Sequence, residues 1–385
     1  MIPYGRQSID AADERAVLEV LRSDFLTQGP RVPRFEQAVS EYCGVPFAVA
    51  VNSATSALHI ACLALGVGPG DRVWTSPNTF VASANCARYC GASVDFVDID
   101  PATYNMSCTA LAARLEQAAA EGTLPKVVIP VHFSGLPCDM VRIHELAQHY
   151  GFFVVEDASH AIGARCADSV IGDCRYSDIA VFSFHPVKII TTAEGGLATT
   201  RSADLARQLA LFRSHGITRD PGELERDAAE PWYYEQHCLG LNYRLTELQA
   251  ALGISQLAHL EEWVARRHAL ADIYDRELSG LPLILPQRTV GSRSALHLYV
   301  VQIDTARTAL PRRALYDGLR ERNIGVNVHY IPVHTQPYYQ ALGFRSGQFP
   351  NSEAYYARCV SLPMYAGLSD ADQQRVIVAL HQVLS

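Results

Sequence analysis

Between residues 47 and 199 the chain keeps switching periodicity, and few folds accommodate that. Short β-forming runs at 47–51, 72–75, 93–97, 127–131, 152–155, 179–184 and 197–199 alternate with helical stretches at 54–65, 79–89, 109–121, 139–150 and, after the last run, 203–215. Strands that alternate with helices are joined by crossovers, so they pair mainly in parallel and are covered on both faces. Such a sheet binds its ligands at the carboxyl ends of the strands.

The pattern then changes. Residues 216–242 are irregular, with Pro221, Gly222, Pro231 and Gly240. Long helices are expected over 246–278, followed by strands at 297–303 and 326–330 and helices at 312–322 and 369–384. This reads as a large α/β domain, 1–250, and a smaller C-terminal α+β domain, 251–385. A net charge of −8 and a pI near 5.9 argue against a nucleic-acid binder, which would show a basic face. No apolar run approaches a membrane span, and the first residues carry no signal pattern. Ten cysteines without a CxxC read as reduced core residues, and the expected location is cytoplasmic.

Only two of the thirty-two basic side chains are lysines, Lys126 and Lys188. Lys126 precedes a strand and reads as a solvent-facing strand start. Lys188 follows Ser183-Phe184-His185-Pro186-Val187, and Thr191-Thr192-Ala193-Glu194-Gly195-Gly196 comes next. A lysine that arginine does not replace suggests amine chemistry, since only an amine forms a Schiff base. The glycine pair is expected to let backbone approach a ligand. Upstream, the apolar run at 152–155 ends in Glu156-Asp157. A carboxylate at a strand end and a lysine after a later strand are the two anchors that pyridoxal phosphate requires. The carboxylate would keep the pyridine nitrogen protonated.

Asn52-Ser53-Ala54-Thr55-Ser56-Ala57-Leu58 follows a strand and opens a helix, whose first N–H groups suit a phosphate. Ser183 could donate to the same phosphate. Phe80 could stack on the cofactor ring or sit in the core. Gly66-Val67-Gly68-Pro69-Gly70-Asp71 lacks a following Lys-Ser/Thr and is a turn, not a nucleotide loop. His132, His185 and His215 show no ligand spacing, so no metal is expected.

Taken together, Thr27-Gln28-Gly29-Pro30, the 52–58 segment, Glu156-Asp157-Ala158-Ser159-His160-Ala161-Ile162-Gly163, Ser183 to Lys188, 192–196 and Leu239-Gly240-Leu241-Asn242-Tyr243-Arg244-Leu245-Thr246-Glu247 make a signature spread over the whole chain. It resembles the DegT/DnrJ/EryC1/StrS sugar aminotransferases, which have the aspartate-aminotransferase fold (fold type I) and use pyridoxal phosphate. The resemblance implies catalytic roles for Lys188, Asp157 and His160, the last on the cofactor's hydroxyl side, where many relatives place glutamine and where a histidine could titrate. It implies phosphate contacts from Ala54, Thr55 and Ser183, stacking by Phe80, and Asn242 reaching the phosphate of a neighbouring subunit in a homodimer. Tyr4, Asp24, Phe25, Leu26, Thr27, Asn327, Val328, His329 and Tyr330 would line the nucleotide-sugar site.

Phe212-Arg213-Ser214-His215-Gly216-Ile217, Pro231-Trp232-Tyr233-Tyr234 and Asn327-Val328-His329-Tyr330-Ile331-Pro332 are most similar to the branch of pseudaminic acid biosynthesis. That branch aminates C4 of a UDP-linked 4-keto-6-deoxy-N-acetylhexosamine with glutamate. Alternatives are a relative acting on another keto-sugar or keto-cyclitol, a sugar 3-dehydrase, and a cofactor-binding regulator. Lys188 argues against the dehydrase, where histidine replaces the lysine. The lack of a DNA-binding module argues against the regulator.

Overall fold

The computed structural model describes residues 1–166, 169–226, 230–289 and 291–384. Two helices open the chain, α1 (Ala11–Leu21) and α2 (Arg31–Cys43). Alternation follows through β1 (Phe47–Val51), α3 (Ala54–Ala64), β2 (Arg72–Thr75), α4 (Ala82–Tyr89), β3 (Ser93–Phe96), α5 (Cys108–Glu121), β4 (Val127–Ile129), α6 (Met140–Tyr150) and β5 (Phe153–Asp157). The short strands β6 (Arg165–Cys166) and β7 (Ser169–Val170) precede β8 (Ile179–Ser183), β9 (Gly196–Thr200) and α7 (Ala203–Arg213). Then come β10 (Ile217–Thr218), β11 (Glu235–Gln236), α8 (Glu247–Leu257) and α9 (Leu260–Leu278). The remainder holds β12 (Leu283–Ile284), β13 (Ser292–Arg293), β14 (Tyr299–Ile303), α10 (Arg312–Glu321), α11 (Pro337–Ala341), α12 (Pro350–Arg358), β15 (Cys359–Leu362) and α13 (Asp370–Leu384).

Seven strands form the main sheet in the order β1-β9-β8-β5-β4-β2-β3. β3, β2, β4, β5 and β8 run parallel, and β9 is antiparallel to both its neighbours. The sheet is mostly parallel but mixed, as in fold type I transferases. Its pleat sorts the core. Val127, Ile129 and Val155 join a cluster with Leu58 and Ile60 of α3 and Ala84 and Ala87 of α4. Val128 and Val154, one residue out of phase, join Leu111 and Leu115 of α5 and Ile143 and Leu146 of α6. Alternate residues therefore feed two cores, one on each face.

Helix starts are written in the sequence. Asp10, Ser53, Ser107, Asp139, Ser202 and Thr246 each accept from a backbone N–H in the first turn of the helix that follows. α2 lacks such a residue, and a distant one supplies the cap. The buried Glu247 carboxylate accepts from Arg31 N at 2.6 Å and Val32 N at 3.1 Å. Gly29 lies so close to it that an added Cβ would stand 2.7 Å from Glu247 Oε2. The Thr27-to-Pro30 and Thr246-Glu247 segments are thus two halves of one joint.

A small three-stranded sheet, β12-β14-β15, packs Val301, Val360 and Leu362 against Leu270 and Tyr274 of α9, Leu315 of α10 and Leu380 of α13. β13 crosses back to pair with β6.

Two expected elements differ. The helix expected from 79 begins at Ala82, because Pro77 and the side-chain bonds of Asn78 and Thr79 hold 76–80 as a turn. The segment 326–330 is not a strand. Asn327 makes one bridge to Ser361, while the N–H groups of Val328 and Tyr330 go to the side chains of Asn327 and Asn78. The irregular stretch also contains the β10–β11 pair.

Candidate active site

A cavity of about 540 Å³ opens at the carboxyl edge of the main sheet. Residues following β1, β2, β4, β5 and β8 line it: Ser53, Ala54 and Thr55; Thr79 and Phe80; Val131; Asp157; Ser183, His185 and Lys188. Tyr4, His297 and residues 327–330 close the other side. Its size suits a cofactor with part of a substrate.

Asp157 ends β5 and is 4% exposed. Its Oδ1 accepts from Ser159 N at 3.1 Å and its Oδ2 from the Ser83 hydroxyl at 2.6 Å. The backbone is fixed too: Asp157 N donates to Pro130 O and His132 N donates to Asp157 O. This anchors the carboxylate between two parallel strands.

Lys188 sits in the loop that leaves β8 and returns as β9. Phe184 N donates to Gly195 O, Thr192 N to Phe184 O, and the Thr191 hydroxyl also to Phe184 O, which pinches the loop shut at its base. Among the described residues no carboxylate lies within 4 Å of its amine. Burial disfavours the ammonium and pulls Lys188 down to about 8, with the Asp157 charge opposing the shift. The amine is therefore partly neutral near neutral pH.

The N-terminus of α3 forms a cup. Ser53 takes the N–H of Ser56 at 3.1 Å, and its carbonyl takes that of Ala57. The N–H groups of Ala54 and Thr55 have no acceptor among the described residues. Ser183 lines the same cavity, and its strand partner Gly196 packs against the cup. Gly195 also lines the cavity, and both glycines pack tightly against the protein itself. A Cβ on Gly196 would stand 2.3 Å from Ser53 C and 2.4 Å from Ala54 N, and one on Gly195 would meet Thr192 Oγ1 at 2.1 Å. These glycines admit protein backbone and side chain, and Gly196 seats the helix cup on β9.

His160 is buried beside Tyr330, its Nε2 3.0 Å from the phenol oxygen, while Ser134 N donates to its Nδ1 at 3.2 Å. Burial first, then the charge of Lys188, drives it well below the ordinary imidazole range. A neutral ring with Nδ1 as acceptor carries its proton on Nε2 and donates to Tyr330. The question the sequence leaves open, whether this histidine titrates, is answered by its burial, which favours the neutral ring. His329 donates or accepts at Ser361 Oγ, 2.7 Å away, and burial lowers it to about 3.

Of the residues singled out in the sequence, Tyr4, Ala54, Thr55, Phe80, Asp157, His160, Ser183, Lys188, Asn327, Val328, His329 and Tyr330 share this cavity. Phe80 is not core: it is 59% exposed at the mouth. Asp24, Phe25, Leu26 and Thr27 do not line it. Leu26 O accepts from Glu247 N and Thr27 bridges Thr246, which holds that loop on the start of α8. Asn242 is exposed, outside the cavity, in a bridge with Ser214. Sequence reasoning missed Ser83 and His297. His297 is 4% exposed, with its ring 4.4 Å from that of His160 and its Nδ1 unpartnered. The only sequence signal was its position at the start of an apolar run.

Residues 7–381 match the model of the DegT/DnrJ/EryC1/StrS aminotransferase family. The chain is 39% identical to the spore coat polysaccharide biosynthesis protein SpsC of Bacillus subtilis, over 100% of this chain and 97% of SpsC. Among solved structures it is similar to Helicobacter pylori PseC, an aminotransferase involved in the biosynthesis of pseudoaminic acid. That match has 30% identity, a TM-score of 0.89 and coverage of 100% and 99%. It is likewise similar to the PLP form of Spr1654 from Streptococcus pneumoniae, with 28% identity, a TM-score of 0.87 and 100% of each chain covered.

Proposed function

This chain belongs to the DegT/DnrJ/EryC1/StrS aminotransferase family, and we propose that it transfers the amino group of glutamate to C4 of a UDP-linked 4-keto-6-deoxy-N-acetylhexosamine. The product would be UDP-4-amino-4,6-dideoxy-N-acetyl-β-L-altrosamine, a step toward pseudaminic acid. At the coarser level it is a sugar aminotransferase that uses pyridoxal phosphate. When bound, that cofactor supplies a carbonyl to carry the amino group and a ring to accept electrons from the donor's Cα.

The cavity's own residues fit such a group. The free N–H groups of Ala54 and Thr55, at the positive end of a helix, suit its phosphate, with Ser183 as a hydroxyl donor. Asp157 would hold a proton at the ring nitrogen. Lys188, partly neutral, would hold the cofactor at its carbonyl carbon and, once the donor's amine takes that place and leaves the lysine free, would move a proton at the donor's Cα. Phe80 would cover one ring face. His160 would keep the Tyr330 phenol oriented toward the ligand, and Asn242 would serve the site of a second subunit.

The observation that carries the substrate reading is that Tyr4 and residues 327–330 lie in the same cavity as Lys188. In this reading they would hold a sugar ketone against the amine, and the likeness to PseC supports the pseudaminic branch. The 39% identity to SpsC favours a second reading, amination of another nucleotide-linked keto sugar. The test compares kcat/KM for the β-L-arabino 4-keto sugar and its D-xylo epimer with saturating glutamate. Faster turnover of the β-L-arabino compound is expected. Preference for the D-xylo compound would leave the aminotransferase chemistry and remove the pseudaminic assignment.

A further inference from the structure

We infer that Ser83 is a positioning residue for transamination: with Thr79, it orients the carboxylate of Asp157. The inference rests on the reading of Asp157 as the partner of the cofactor's ring nitrogen.

Ser83 lies in the first turn of α4 and is fully buried. Its oxygen is 2.6 Å from Asp157 Oδ2, 2.7 Å from Thr79 Oγ1 and 3.3 Å from Phe80 O. An ionised carboxylate only accepts, so Ser83 is the donor at the shortest of these contacts. Having given its proton to Asp157, Ser83 must accept from Thr79. The direction of the chain is therefore set: Thr79 O–H to Ser83, Ser83 O–H to Asp157. Donors in series strengthen one another in a low-dielectric interior.

The arrangement restricts what Asp157 can do. Ser159 N occupies one side of Oδ1 and Ser83 one side of Oδ2, so the carboxylate plane is fixed before any ligand arrives. Thr79 and Phe80 belong to the same turn and line the cavity. One turn thus ties both Asp157, which would pair with the ring nitrogen, and Phe80, which would cover a ring face. A shift in it would misplace both together. Asp157 takes its other contact from Ser159, in the turn just after its own strand; Ser83 is the tie between Asp157 and the α4 side of the cavity.

The experiment is an absorbance–pH titration of the holoenzyme for wild type, Ser83→Ala, Ser83→Thr, Thr79→Val and Asp157→Asn, with the unfolding temperature of each as a check on folding. A hydrogen bond to a charged group is worth about ten- to a hundredfold in an equilibrium. Ser83→Ala is expected to move the midpoint of the visible transition by about one pH unit. It should also cut kcat about tenfold, with the sugar KM changed by less than about twofold. Thr79→Val should shift the midpoint in the same direction by less, and Ser83→Thr, which keeps the hydroxyl, should return it toward wild type. If Ser83→Ala does not fold, the Thr79→Val shift decides. An unmoved midpoint in the Ser83 and Thr79 variants, with Asp157→Asn shifted, overturns this inference alone. An unmoved midpoint in Asp157→Asn removes the reading beneath it.

Discussion

Ser134 donates its backbone N–H to Nδ1 of His160 at 3.2 Å, from a left-handed conformation with φ of 62°. That conformation is uncommon for a residue with a Cβ and is held by the Ser134 hydroxyl, which donates to Leu298 O at 2.6 Å. The consequence is a histidine that cannot protonate Nδ1 without setting one N–H against another.

A neutral His160 that accepts from Ser134 N and donates to Tyr330 can be replaced by a neutral amide, which also has one acceptor and a donor. His160→Gln is expected to retain activity within about tenfold and to leave the pH–rate profile between about pH 6 and 8 unchanged in shape. The sign follows from the shift: burial lowers the pKa of His160, so over this range the ring is already deprotonated and loses no proton as pH rises. Loss of a titration step from kcat/KM in the variant would show that the ring does change charge.

Lys188 is expected to react as an amine with a lowered pKa. In cofactor-free protein the rate of pyridoxal phosphate capture should rise with pH and level off above about 8, because the ammonium below that value is not a nucleophile. Borohydride reduction of the holoenzyme should fix the cofactor to the peptide holding Lys188. A label on Lys126 instead would refute the assignment; that amine is engaged by Gly66 O at 2.5 Å and Asp71 at 3.0 Å. Lys188→Arg should give no label and no transfer, since a guanidinium keeps the charge but not the chemistry.

What could be read from the sequence was what periodicity and chemistry fix locally. The alternation of strands and helices placed the main sheet, and Asp157 and Lys188 stood out as a pair, a carboxylate at a strand end and one of only two lysines following a later strand. What could not be read depends on pairs far apart in the chain. Ser83 and Asp157 are 74 residues apart, and Arg31 and Glu247 are 216 apart. No local pattern marks such contacts. The segment 326–330 reads as a strand because Val326 and Val328 alternate with polar residues, yet only Asn327 pairs its backbone with the neighbouring β15, while side chains take the N–H groups of Val328 and Tyr330. The loop at 24–27 reads as part of the sugar site from likeness alone; in one chain Glu247 and Thr246 hold it on α8, outside the cavity.

Gly196 tests the seating of the phosphate cup. Its added methyl would meet the Ser53–Ala54 peptide inside ordinary contact distance, and backbone cannot swing away as a side chain can. Gly196→Ala is expected to cost about 1–3 kcal/mol of stability. Cofactor affinity should fall with it, because α3 must move off β9 and carry the N–H groups of Ala54 and Thr55 along. Equilibrium unfolding and cofactor titration measure the two effects. A variant with normal cofactor affinity would separate the cup from β9.

Asn242 bears on assembly. In one chain it is exposed and lies outside the cavity that holds Lys188, although Asn52 N, just before the cup, donates to the carbonyl of its neighbour Tyr243. A residue that contacts the phosphate from outside its own cavity must do so in a second copy, so the two sites of a homodimer would each need both chains. Lys188→Ala and an impaired Asn242→Ala variant are each expected to be poorly active alone. Mixing them after dissociation and reassociation should restore up to about a quarter of wild-type activity per site, because random pairing gives half heterodimers, and one of the two sites in each heterodimer has both residues intact. Recovery above the sum of the separate variants supports the shared site. Full activity in a species that sedimentation shows to be monomeric would contradict it, and Asn242 would then be a surface residue that ties Ser214 to the chain before α8.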